Sequence, residues 1–148
     1  MLLKEVIGNL QDLDLTGKIV EKIELEWFEL DKRLIRRVTD KGTEVGISLD
    51  GSYCLGSGDV LYKDDKKVIA IELIPTQAIV LEPQTMKEMA HICYQLGNRH
   101  APIFLEGNQI LIPFDPTILE FFNKLSIGTK VEKRRLEHVL QPASRHHH

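Results

Sequence analysis

Six histidines and two cysteines are the residues of this 148-residue chain best suited by type and spacing to do chemistry. Three of the histidines, His146, His147 and His148, stand in a row at the end of the sequence. Neutral imidazole is a nitrogen ligand suited to nickel, copper, zinc and cobalt, and adjacent residues on a tail can converge on one ion. Two readings of this triplet stand side by side: ligands in their own right, or the remnant of a purification tag. The other candidate ligand is His100, in Gly97-Asn-Arg-His100, on a loop between a helix end and a strand. One imidazole binds a metal weakly. Such a residue gains weight when a second copy comes from a partner chain, because a twofold axis sets identical residues face to face. His91 falls on the polar face of a helix beside Glu88 and Gln95, and His138 follows Lys133-Arg-Arg135; both read as surface residues. Cys93 lies in an apolar helical stripe and reads as a packed thiol, while Cys54, in Gly51-Ser-Tyr-Cys-Leu-Gly56, is assigned no role.

Other chemistries lack their residues. There is no Gly-x-Ser-x-Gly elbow, His-Glu-x-x-His pair, phosphate-binding glycine loop or dinucleotide fingerprint, and Asp64-Asp65 falls in a hairpin turn. A non-enzymatic role is expected. The cysteines are far apart and have no Cys-x-x-Cys spacing, which excludes a disulfide framework and a four-cysteine zinc site and fits a reducing cytoplasm. A net charge of −3 argues against nucleic acid, whose phosphates need a basic face. With no apolar run of about 18 residues, no membrane span is expected, and the start from Met1 to Gly8 does not read as a secretory signal.

Behind these residues stands enough apolar material (43% hydrophobic, 28% charged) for one domain or two small ones. Residues 1–75 hold 11 basic and 15 acidic residues, whereas residues 76–148 hold 8 and 7; Pro75, poorly suited to a central strand, marks the change. The first part, 1–75, reads as a small all-β unit. Strands are expected over Glu24–Leu30 and Arg33–Val38 with a turn between them, over Glu44–Leu49, and as a hairpin of Asp59–Tyr62 with Val68–Leu73. The second part, 76–140, changes rhythm. A strand at Ala78–Glu82 precedes a helix opened by Thr85 and Glu88 at capping-box spacing, with an apolar stripe of Met86, Met89, Ala90, Cys93 and Leu96 and Gly97 as left-handed cap. A hairpin of Pro102–Leu105 with Gln109–Ile112 follows. Asp115-Pro116 then opens a second helix with Ile118, Leu119, Phe122 and Leu125 inward and Gly128 closing it. An extended stretch from Thr129 to about Leu140 completes the β-α-β-β-α-β order of a ferredoxin-like domain, leaving 141–148 as a mobile His-bearing tail. The fold class is α+β in two domains.

Four stretches carry a family resemblance: Leu25-Glu-Trp27, Gly58-Asp-Val-Leu61, Pro83-Gln-Thr-Met86 and, most specific by its place after the helix, Gly97-Asn-Arg-His100. With the two-domain plan and the tail, the chain resembles the UreE urease accessory proteins, nickel metallochaperones, over essentially its full length. The resemblance implies a peptide-binding-like first domain and a metal-binding second domain. It also implies a homodimer in which the His100 side chains of both copies share one Ni2+, with His146, His147 and His148 as further ligands. Its implied partners are the urease apoprotein and other urease accessory proteins, including the GTPase. Some relatives carry a second histidine pair where this chain has Ile112-Pro-Phe-Asp115, so that site is not carried over.

The expected function is delivery of Ni2+ for assembly of the urease active site, with Zn2+ or Cu2+ able to substitute because imidazole sites discriminate poorly by affinity. The alternative is a module that grips peptide segments of a partner through the β-domain, beside Trp27, with metal incidental. A third reading, a metal-dependent hydrolase, needs an acid or base beside an open metal position.

Overall fold

The structure, a computed structural model, describes residues 1–50, 54–137 and 139–140. The chain divides into two compact units, Met1–Ile74 and Pro75–His148. In the first, strands β1 (Leu2–Leu3), β2 (Gly8–Asn9), β3 (Ile19–Leu25), β4 (Leu34–Val38), β5 (Glu44–Ser48), β6 (Asp59–Lys63) and β7 (Lys67–Leu73) form two sheets, ordered β1-β5-β4 and β2-β6-β7-β3. The near-continuous apolar run of β7 reflects burial on both faces. Val68 and Ala70 join Val60 in one cluster, while Ile69, Ile71 and Leu73 join Ile23, Leu25, Ile35 and Ile47 in the main core. β6 and β7 form the expected hairpin, with a bulge between Val60 and Tyr62.

The strand expected over Glu24–Leu30 is corrected. β3 starts at Ile19 and ends at Leu25, and Trp27–Glu29 is a single 3-10 turn. The reason is Glu29: its carboxylate is buried, pairs with Arg37, and accepts from the Glu26 N–H at 3.1 Å, which curls the chain instead of extending it. Nor do β3 and β4 form a hairpin; β3 pairs in parallel with β7, from Ile19↔Lys67 to Leu25↔Leu73.

The second unit runs β8 (Thr76–Leu81), α1 (Met86–Asn98), β9 (Phe104–Glu106), β10 (Gln109–Pro113), α2 (Pro116–Lys124) and β11 (Thr129–Arg134). Its sheet order, β11-β8-β10-β9 with every neighbour antiparallel, is the ferredoxin-like arrangement. Alternate residues of the two central strands, Ile79, Leu81, Ile110 and Ile112, meet Ile92, Leu96, Ile118 and Phe122 of the helices in one core. The Thr85 hydroxyl accepts from the Glu88 N–H at 3.1 Å, and the Asp115 carboxylate accepts from Thr117 and Ile118, with Pro116 leading the helix as expected.

Three details of this unit differ from expectation. The buried stripe of α1 is Ile92 and Leu96 with Met89 and Cys93 packed beside them, while Met86 and Ala90 face water. Leu125, expected in the buried stripe of the second helix, is the residue that caps α2 and is exposed. The last extended stretch stops as a strand at Arg134, and Val139 resumes pairing by a bridge to Phe104.

Candidate metal centre

His100 sits at the end of α1, and the way that helix stops defines its position. Gly97 was the residue best suited to a left-handed cap, yet it remains helical; His100 takes the left-handed conformation, with φ 54°. The Ala101 N–H donates to the Leu96 carbonyl at 3.1 Å and the His100 N–H to the Gly97 carbonyl at 3.1 Å, the paired bonds of a Schellman motif with His100 at its left-handed position. Leu96 and Ala101 pack in the same core, supplying the apolar contact that accompanies the motif. Glycine is the usual occupant because a side chain there crowds the backbone, although histidine is among the residues enriched in this region. A residue that bears such strain and exposes its imidazole is a marked candidate for a function of the side chain.

The neighbouring Arg99 fixes the loop from the other side. Its guanidinium lies over the Phe121 ring, 4.4 Å from the centroid, and Phe121 meets the buried Phe122 edge-on at 5.4 Å. The loop bearing His100 is thereby tied to α2 as well as to α1. Sequence reasoning missed this clamp. Its signals were the Phe121-Phe122 pair and the spacing of Leu96 and Ala101, which marks a Schellman end five residues apart.

The other candidates stand elsewhere. His91 is exposed on α1, its Nε2 3.5 Å from the Gln95 amide nitrogen, as a solvated residue would be. Cys93 is half-buried with Sγ 3.7 Å from Met89 Sδ, and burial pushes its thiol up, as expected of a packed residue. Cys54 is an exposed free thiol. His138, His146, His147 and His148 lie outside the described residues. Among the described residues, no three His, Cys, Asp or Glu side chains come together to hold a metal ion. Among the described residues His100 thus stands alone, an exposed imidazole with no group of His, Cys, Asp or Glu gathered around it. Nor is any helix among the described residues long and apolar enough to cross a membrane.

A row of exposed residues leads along α1 to this loop: Met86, Ala90 and Tyr94 at four-residue spacing, then Gly97 and Asn98. Met86 is 89% exposed and Tyr94 66%.

The family model described as the UreE urease accessory protein N-terminal domain matches residues 3–73, and that for the UreE C-terminal domain matches residues 66–148. The chain is 34% identical to the urease accessory protein UreE of Flavobacterium johnsoniae, covering 99% of this chain and 90% of the relative. It is 35% identical to that of Actinobacillus pleuropneumoniae over 99% and 81%, and 35% identical to that of Bacillus sp. (strain TB-90) over 99% of both.

Proposed function

The chain belongs to the UreE urease accessory protein family, and from that premise we propose that it is a metallochaperone that carries Ni2+ to the urease active site as that site is assembled. The observation that carries the reading is His100, an exposed imidazole at a left-handed helix end. A delivery site must hold its cargo and still release it. Few, exposed imidazoles suit that task better than a closed thiolate cage, which holds zinc or Cu(I) too firmly.

Since one chain offers a single ligand at this loop, the site is completed in a homodimer, where two His100 side chains share one ion. The exposed row of Met86, Ala90, Tyr94 and Gly97 on α1 supports a surface for that pairing, because its small residues allow close approach beside an apolar contact. His146, His147 and His148 add ligands from the tail, and the urease apoprotein and other urease accessory proteins, the GTPase among them, are the recipients. Because imidazole ligates only when deprotonated, acid weakens the site. Zn2+ and Cu2+ compete with Ni2+ for it.

Calorimetric nickel titration of the wild-type chain, His100→Ala and a chain lacking residues 144–148 tests this reading. His100→Ala is expected to lose the tightest site while remaining folded and dimeric. The truncated chain is expected to keep that site and lose weaker binding. Unchanged affinity and stoichiometry in His100→Ala would overturn the proposal.

A further inference from the structure

Among the described residues, the three-stranded sheet of the first unit leaves one face and one edge open. Side chains alternate across it: Leu3, Ile35, Val45 and Ile47 are buried, and Leu2, Leu34, Arg36, Val38 and Glu44 face outward. Leu34 is 62% exposed, Val38 59% and Leu2 57%, an uncommon concentration of large apolar side chains on one small sheet. Across the middle row, Arg36 and Leu2 both pair with Gly46, and a trough of about 580 Å³ is lined here by Met1, Leu2, Arg36, Val38, Glu44 and Gly46 among others. A Cβ on Gly46 would meet only ordinary contacts, 3.5 Å from Leu2 Cδ1, so packing does not require the glycine.

The edge is open too. Around β4 the Arg33 carbonyl accepts from the Leu49 N–H and the Thr39 N–H donates to the Thr43 carbonyl, so the alternation of an antiparallel pair turns the backbone groups of Leu34, Arg36 and Val38 away from β5. One of those groups, the Arg36 carbonyl, is covered by the Arg37 guanidinium at 2.8 Å, a contact that an arriving strand would displace. Between residues 31 and 41 the chain holds five basic residues against two acids, although its net charge is −3. The Arg36 guanidinium has no partner among the described residues.

We infer that β4 is a docking edge for an extended segment of a partner protein, one that carries an acidic side chain flanked two residues away on each side by apolar ones. The acid pairs with Arg36, the apolar residues cover Leu34 and Val38, and main-chain bonds add a fourth strand to the sheet. A second copy of this chain does not fit: antiparallel pairing of two β4 edges centred on Arg36 would set arginine against arginine. The chain's own residues 141–148 contain no acidic side chain to set between apolar ones. This surface lies on the three-stranded sheet, not beside Trp27, which packs against the core. The inference goes beyond the nickel reading and stands whether or not His100 binds metal.

The test uses the metal-free, 15N-labelled full chain and a capped seven-residue peptide with leucine at its second and sixth positions, aspartate at its fourth and threonine elsewhere. The amides of Leu34, Arg36 and Val38 are expected to shift and to exchange more slowly as peptide is added. A peptide with lysine for aspartate is expected to bind at least about tenfold more weakly, and Arg36→Glu to reverse that preference. Arg36 is exposed, so the variant keeps the fold. Absence of binding at millimolar peptide, equal binding of the two peptides, or shifts confined to other residues would overturn the inference.

Discussion

At position 100 a histidine occupies backbone space that a glycine would fill at lower cost. The left-handed conformation disfavours any L side chain by on the order of 1 kcal/mol. His100→Gly is therefore expected to raise the free energy of unfolding by about 1 kcal/mol while abolishing tight nickel binding. Chemical denaturation followed by far-UV circular dichroism, with a nickel titration of the same sample, checks both halves. A destabilised variant would show that the imidazole serves the fold. Glu21 illustrates the opposite case, a buried charge held for structure. The Thr39 hydroxyl, then Thr43 and the Lys67 ammonium, outweigh burial and hold its carboxyl at about 2, against an ordinary value of 4.5. Because the folded value lies below the unfolded one, the stability it contributes is full above about pH 4.5 and is lost as pH falls toward about 2. Glu21→Gln should flatten the fall in unfolding midpoint across that window, with Asp64, also held at about 2, supplying part of what remains. An identical pH profile in variant and wild type would refute the assignment.

Among the elements, those read most easily from the sequence were the ones whose signals are local. Asp115-Pro116 names a helix start because a carboxylate that accepts orphan amide hydrogens and a proline that needs none sit in the right order. Asp115→Ala should cost about 1 kcal/mol of stability and leave nickel binding unchanged, measured by thermal melting and calorimetry. Loss of binding in that variant would mean that α2 does more than clamp the loop. The order of elements in the second unit was legible for the same reason, since alternation and 3.6-residue spacing change at each boundary. Helix ends were not. Gly97 and Gly128 looked like caps, yet His100 (φ 54°) and Ser126 (φ 58°) take the left-handed positions, because the apolar residues that follow, Ala101 and Ile127, must reach the core. The parallel pairing of β3 with β7 was equally hidden, since it is decided by contacts between strands more than 40 residues apart in the chain. Of the candidate site, the place of His100 just after α1 was legible from its motif; the strain it bears and the Arg99–Phe121 clamp depend on how two helices pack.

For the whole molecule, the division of labour follows from what each unit exposes. Met1–Ile74 presents an open sheet edge with basic and apolar side chains, and the described part of Pro75–His148 presents the His100 imidazole at the end of an exposed helical row. A single imidazole makes a weak site, so the metal chemistry proposed for this chain depends on two copies meeting at His100. The most direct test is native mass spectrometry of the chain lacking residues 144–148, loaded with nickel to saturation. A shared His100 site predicts a dimer carrying one Ni2+, with the ion lost and the dimer retained in His100→Ala. Monomers that each carry an ion, or a His100→Ala dimer that still holds one, would contradict it.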